Sequence, residues 1–290
     1  MTSADVNLIT GAAGFVGRRL VEALRAQGQE VYAWTRNDGD LRDSEVVRAA
    51  LGQIRPTCVY HLASTPPGSG DENWYRIADE QQMVANLAYA LPDQGRLIYA
   101  GSMAEYGQSG TLFEYQQCTP DTCYGCAKFS ASTLALSLRM LHGFDIRVAR
   151  LFGVYGPGEA SARLLPTLIA KLGRGEAVAL SDGAQLRDFI HIDDVCSLLA
   201  RYAAEPMQSA PAVSNIGTGE GISVRQVCER VAEVMGADSA LLRFGAIPRR
   251  SVDKDRLVAN VDQMKLFAPV PPQRWLDHDL SEAVVRSMAI

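Results

Sequence analysis

The chain has no run of 18 to 20 apolar residues, the length a helix needs to cross a bilayer, so no membrane span is expected. Nor does it open on a basic start followed by an apolar stretch. Asp5 and Asn7 interrupt the amino terminus, which predicts no signal peptide and a cytoplasmic protein. Positive charge is not in excess: 28 Lys and Arg stand against 33 Asp and Glu, for a net charge of −5. Phosphate backbones are met by basic surfaces, so a nucleic-acid partner is not expected. Internal repeats and low-complexity runs are missing. Cysteine numbers six, and Cys118, Cys123 and Cys126 have the spacing of a plant-type iron–sulfur motif. A cluster needs a fourth thiolate, but Cys58 falls in an expected strand and Cys196 and Cys228 in expected helices. No metal is therefore expected, and the thiols are read as reduced.

What is present is an alternation of strand-like segments near 5–10, 30–35, 57–62, 96–101 and 145–151 with helix-like segments near 14–27, 43–54, 77–91 and 123–142. That order predicts an α/β fold with a parallel doubly wound sheet. After about 152 the pattern is mixed, with helices near 161–174, 193–204 and 223–235 and interruptions such as Pro157, Pro166, Pro206 and Pro248. With 47% hydrophobic content, 290 residues suffice for one large core and a smaller lobe.

The first strand runs straight into Gly11-Ala12-Ala13-Gly14-Phe15-Val16-Gly17, and a helix follows in which Phe15, Val16, Leu20, Val21 and Leu24 repeat at helical spacing. Glycines at 11, 14 and 17 let the backbone turn tightly and approach a pyrophosphate at the helix N-terminus, where free N–H groups point outward. A dinucleotide site is expected here. The second strand ends in Thr35-Arg36, where NAD-selective folds carry an acidic residue for the ribose 2′-hydroxyl. A guanidinium instead suits the 2′-phosphate of NADP, so NADP(H) is the expected cofactor and NAD(H) the alternative.

Tyr124 and Lys128 stand four residues apart, about 20 residues beyond Ser102. On a helix they share one face. A phenol titrates near 10, so proton transfer near neutrality needs a neighbouring cation to favour its phenolate. The spacing thus suits proton transfer to or from an oxygen.

With loop, Ser102, Tyr124 and Lys128 in place, the chain resembles the extended short-chain dehydrogenase/reductase family, in its epimerase/dehydratase group, over nearly its whole length. The resemblance includes Asp40-Leu41-Arg42-Asp43, similar to the family's adenine contact, and His61-Leu62-Ala63-Ser64. It also includes Ser102-Met103-Ala104-Glu105-Tyr106-Gly107, Arg150 to Gly158, Arg187 to Val195, and Asn215 to Gly219. It implies a Rossmann-type dinucleotide-binding part over 1–151, with later returns near 188–218, and a mainly substrate-binding mixed α/β lobe over 152–290. Cofactor contacts are expected at Gly11, Ala13, Gly14, Phe15, Val16, Gly17, Thr35, Arg36, Asp40, Leu41, Leu62, Ala63 and Ser64, with Tyr124 and Lys128 also at the nicotinamide end. Ser102, Tyr124 and Lys128 are the expected catalytic residues. Met103, Arg163, Arg187 and Arg250 are the expected contacts to a nucleotide-diphosphate sugar, Arg187 and Arg250 at its diphosphate. The loop Ser64-Thr65-Pro66-Pro67-Gly68-Ser69-Gly70 follows a strand end and is a candidate cover for the sugar.

Departures from the family narrow the chemistry. Hexose 4,6-dehydratases carry Asp-Glu after the catalytic hydroxyl residue, where this chain has Met103-Ala104. Enzymes like GDP-fucose synthase use a Cys and a His at places that look like Ala104 and Arg163, and the family's usual Asn in the Arg150 segment is Gly153. The expectation is an NADPH-dependent 4-ketoreductase of a nucleotide-activated deoxysugar. The alternative is a 4-epimerase that retains NAD, and a third reading is a non-catalytic NADP-binding regulator, which would need the glycine loop but not the trio. Helices near 77–91 and 123–142 resemble the pair that forms an intersubunit bundle in the family, with Met83, Leu87, Leu134 and Leu138 as its apolar positions, so a homodimer is expected.

Overall fold

The computed structural model describes residues 5–64 and 74–269. Strand β1 (Val6–Thr10) leads into α1 (Phe15–Ala26), and β2 (Glu30–Trp34), α2 (Ser44–Ile54) and β3 (Cys58–His61) continue the alternation. Then come α3 (Tyr75–Ala90), β4 (Arg96–Ser102), the short β5 (Gly110–Leu112), α4 (Cys123–His142) and β6 (Asp145–Leu151). The second half holds β7 (Gly153–Tyr155), α5 (Leu164–Gly173), β8 (Val178–Leu180), β9 (Leu186–Arg187), β10 (Phe189–His191), α6 (Ile192–Ala204) and β11 (Val213–Ile216). Next are β12 (Ile222–Ser223), α7 (Val224–Val234), β13 (Leu242–Phe244), β14 (Arg256–Ala259) and α8 (Asp262–Lys265).

The main sheet is parallel throughout, in the order β11-β6-β4-β3-β1-β2. Successive side chains of a strand point to opposite faces, and a sheet covered on both sides reads as nearly continuous apolar strands. Ile9, Tyr60, Ile98, Ala149 and Ile216 accordingly pack with Leu20 and Leu24 of α1 and Val195 and Leu199 of α6. Leu8, Val59, Leu97 and Val148 pack on the other side with Val47 of α2, Val84 and Leu87 of α3 and Ala135 of α4. The chain departs outward from β1 to β2 and returns to β3 on the far side of β1. Ligands of open α/β sheets bind at the carboxyl ends of strands beside such a switch.

Beyond β6 the chain leaves the sheet and rejoins it at β11. A separate core forms where α5, α7, β8 and β13 meet, around Leu168, Leu172, Val227 and Val231. A mixed sheet in the order β12-β9-β14-β5 ties the late strand β14 to β5. Helix α5 begins at Leu164, three residues later than expected, and Pro166 lies in its first turn, where the missing N–H costs nothing.

One expectation is corrected. Met83, Leu87 and Leu138 are buried in the chain's own core against the sheet, with Leu134 packed on it, and so are not available to a second subunit. The helical period places them inward; their neighbours on α3 and α4 face out.

Candidate active site

A cleft of about 790 Å³ opens at the carboxyl ends of β1, β2 and β3. It brings together Gly11, Ala13 and Gly14 after β1, Thr35, Arg36, Asp40 and Leu41 after β2, and Leu62, Ala63 and Ser64 after β3. Phe15, Val16 and Gly17 are not on its wall; they form the first turn of α1 behind it. Gly11 has φ +69°, and a Cβ there would lie 2.6 Å from the Ala63 nitrogen. A Cβ at Gly17 would lie 2.2 Å from the Gly11 carbonyl oxygen, so the loop folds back on its helix only because both residues lack side chains. This strand, close-packed glycine turn and helix N-terminus fit the pyrophosphate of a dinucleotide.

At the end of β2 the sequence reading missed a carboxylate. Asp38 folds back so that Oδ2 accepts both the Thr35 N–H and the Thr35 hydroxyl at 2.8 Å, which holds its carboxyl below the usual range. Arg36 beside it lines the cleft. Asp40 also lines the cleft, but its carboxylate is engaged by Arg42 at 2.7 Å, and Asp43 caps α2 by accepting the N–H groups of Glu45 and Val46.

Ser102 closes β4 and is 8% exposed. Its hydroxyl oxygen accepts the Ala104 N–H at 3.2 Å while Glu105 Oε1 accepts the Ser102 N–H at 2.9 Å, a capping box around the turn that carries the half-buried Met103. Helix α4 starts from Thr122, whose hydroxyl accepts the Gly125 N–H at 3.0 Å, and so places Tyr124 in its first turn and Lys128 one turn on. A Cβ at Gly125 would lie 2.5 Å from the Ala104 carbonyl oxygen. The missing side chain lets the Tyr124 end of α4 press directly on the Ser102 turn.

Lys128 is 3% exposed. Its Nζ donates to the Ala100 carbonyl at 3.2 Å and to Glu80 Oε2 at 3.3 Å, and lies 5.0 Å from the centre of the Tyr99 ring. Glu80 also accepts the Ser64 hydroxyl at 2.6 Å and the Tyr99 hydroxyl at 3.2 Å. Glu80, Glu105 and Asp38 were not among the expected site residues. Two had signals: Ser-x-x-Glu at 102–105 is a capping-box pattern, and Glu80 sits on the apolar stripe of Met83, Val84 and Leu87.

Arg187 and Arg250 are brought together around Asp253. Arg187 donates to the carbonyls of Leu186 and Lys254 at 2.8 Å and lies 3.8 Å from Asp253, while Arg250 donates to Asp253 Oδ1 at 2.8 Å. Burial holds the Arg187 guanidinium below its usual range, with Arg250 and Arg249 pushing the same way against Asp253. The Lys254 ammonium donates to Asp121 Oδ2 at 2.5 Å, which ties this cluster to the residues just before Tyr124. Arg163 is held separately, at the start of α5, 3.5 Å from Glu159. Burial pushes the Glu159 carboxyl up to about 7 although Arg163 opposes it. Gly153, which replaces the family's Asn, has a local cause: a Cβ there would lie 2.6 Å from the Asp188 carbonyl oxygen across the β7–β10 pairing. Of the loop 64–70 only Ser64 lies among the described residues; the rest, including the suggested sugar cover, is outside them. Among the described residues no group of three or more His, Cys, Asp or Glu is arranged to hold a metal ion, and no helix is long and apolar enough to cross a membrane.

Known proteins resemble this chain over nearly its full length. It is 26% identical to dTDP-4-dehydro-6-deoxy-D-allose reductase of a Streptomyces species, covering 93% of each chain. It is 29% identical to dTDP-6-deoxy-L-talose 4-dehydrogenase (NAD(P)(+)) of Kitasatospora kifunensis, over 82% of this chain and 81% of the relative. The solved structure of MoeE5 in complex with UDP-glucose and NAD is 30% identical, with a TM-score of 0.82 and 98% and 99% coverage. Epimerases and dehydratases are also among the relatives. The model of the NAD dependent epimerase/dehydratase family matches residues 7–217. With that match across most of the chain, and relatives named as dehydrogenases and reductases, the protein belongs to the NAD dependent epimerase/dehydratase family and is an oxidoreductase of the extended short-chain dehydrogenase/reductase type.

Proposed function

We propose that this protein reduces a 4-keto group of a nucleotide-activated deoxysugar with NADPH. The observation that carries the reading is the site around β4 and α4. A buried hydroxyl, a phenol and a buried ammonium converge there, while Met103 and Ala104 follow Ser102 where a second proton-transfer pair would be needed for dehydration. Such a site passes one hydride and one proton. The dinucleotide, when bound, supplies the hydride. Tyr124 donates a proton to the developing alkoxide, Ser102 hydrogen-bonds that oxygen, and Lys128 favours the phenolate electrostatically and holds the ribose. The residues after 151 that leave the main sheet are read as the sugar-nucleotide lobe, with Arg187 and Arg250 at the diphosphate. Two relatives whose names specify 4-dehydro or 4-dehydrogenase chemistry on dTDP-deoxysugars support the substrate class.

Asp38 favours a second reading, an NAD-retaining 4-epimerase, because a carboxylate at the end of β2 accepts hydrogen bonds from free ribose hydroxyls. Mixing purified protein with NADPH and a dTDP-4-keto-6-deoxysugar decides between them. Stoichiometric NADPH oxidation supports the reductase; tightly bound NAD(H) and interconversion of sugars without net oxidation support the epimerase. The protein is read as a homodimer through α3 and α4. Its contact would use the exposed positions Gln82 and Tyr89 on α3 and Thr133 and Met140 on α4, each pair seven residues apart along its helix.

A further inference from the structure

Glu80 is 1% exposed, on a helix face otherwise lined by Met83, Val84 and Leu87. A buried carboxylate is costly unless paired, and for stability alone an apolar residue at this place would serve as well or better. The pairs it makes lead toward the site. Oε1 accepts the hydroxyl of Ser64, which lines the dinucleotide cleft; Oε2 accepts from Tyr99 and from Lys128. Lys128 carries three N–H donors. Glu80 and the Ala100 carbonyl take two, on the side away from solvent.

We propose that Glu80 is a positioning residue that keeps Lys128 charged and aimed, linking the ammonium to the cleft wall through Ser64. This rests on the reading of Lys128 as the cation that serves Tyr124 and the dinucleotide ribose. The surroundings offer no substitute for the carboxylate. His61 from β3 is pushed down to about 4 by burial and is neutral near pH 7, with its Nδ1 2.8 Å from the Thr10 hydroxyl. From β4 comes the Tyr99 phenol, within electrostatic range of Glu105 and of Tyr124 on α4. From α2, Glu45 and Arg48 pair with each other in solvent, and Asp79, the neighbour of Glu80, pairs with Arg42.

The test is fluorescence titration of NADPH into wild type, Glu80→Gln, Glu80→Asp and Lys128→Met between pH 7 and 9.5. With the carboxylate neutralised, an unpaired buried ammonium gives up its proton as pH rises. Wild type is expected to hold a flat Kd. Glu80→Gln is expected to match it within about threefold at pH 7 and to weaken about tenfold by pH 9.5, and Glu80→Asp, which keeps the charge one methylene farther away, to weaken about threefold. The alkaline limb of turnover moves to lower pH in the same order. A carboxylate that only stabilises the fold would lower the unfolding temperature and leave every Kd profile flat, which overturns the proposal; if Glu80→Gln does not fold, a flat Glu80→Asp profile overturns it alone. Lys128→Met is expected to weaken binding at every pH. If it binds like wild type, the reading of Lys128 itself fails, and the proposal with it.

Discussion

Arg150 Nε donates to Glu105 Oε2 at 2.8 Å, and the other oxygen of that carboxylate receives the backbone N–H of Ser102. Both charged side chains are almost wholly buried, at 5% and 0% exposure. Arg150 stacks 4.7 Å over the Tyr106 ring, whose hydroxyl donates to Asn215 at 2.7 Å. Strand β6 thereby holds the turn at the end of β4. Arg150→Met leaves Glu105 buried without its counter-charge and is expected to cost about 3 to 5 kcal/mol in urea denaturation. Adding Glu105→Gln should recover a large part of that loss; no recovery would mean that the pair is not coupled.

Tyr124→Phe removes one hydroxyl from the start of α4 and none of the cleft wall. Loss of a general acid lowers turnover by about two to four orders of magnitude, while the Kd for the dinucleotide should stay within about twofold. Turnover near wild type would take Tyr124 out of the mechanism.

Cofactor choice is set by two opposed groups at the end of β2. Arg36→Ala is expected to raise the Kd for NADP by about ten- to hundredfold and hardly change that for NAD, since a charge-assisted contact is worth about 1.5 to 3 kcal/mol. Asp38→Ala should act in the other direction, improving NADP relative to NAD by removing a carboxylate beside the 2′-phosphate. Calorimetric titration of both dinucleotides reads this directly. If Arg36→Ala changes neither Kd, the NADP assignment fails and the NAD-retaining epimerase is the better account.

Glu159 links pH to stability. Its carboxyl lies at about 7 in the folded chain against an ordinary 4.5, with burial as the main cause. Because the folded value is raised, the contribution is fully present below about pH 4.5 and is lost as pH rises through about 7, up to about 3 kcal/mol. Glu159→Gln should therefore flatten the pH dependence, gaining more over wild type at pH 8 than at pH 5. Equal slopes in urea denaturation at the two values would show that Glu159 ionises as an ordinary carboxyl.

The dimer is checked by light scattering at micromolar concentration, where twice the 31.4 kDa chain mass is expected. Met140→Glu, at a 77% exposed position, should shift the mass toward the monomer because it places a charge in an apolar contact. A monomer in the wild type would end the assignment.

Helices α1, α4 and α6 and strands β4 and β6 stand within a residue or so of where the sequence pattern alone predicts them. Their signals are local: Thr122 before α4 and Gly143 after it are caps, and the apolar period of α1 is complete within 12 residues. The glycine loop and the Tyr124–Lys128 spacing are legible for the same reason, since their meaning depends on neighbours one helical turn away. The tertiary structure alone decided the charge partners and the close approaches. Glu80 meets Lys128 across 48 residues and Arg150 meets Glu105 across 45. Asp38 reaches Thr35 only through the shape of a turn, and Gly153 is required by the carbonyl of Asp188. Which face of α3 turns inward was likewise settled by the sheet it packs on, which is why Met83 and Leu87 belong to this chain's core. Periodicity is written in adjacent residues, whereas the counter-charge of a buried ion depends on which distant strand or helix packing brings within about 3 Å.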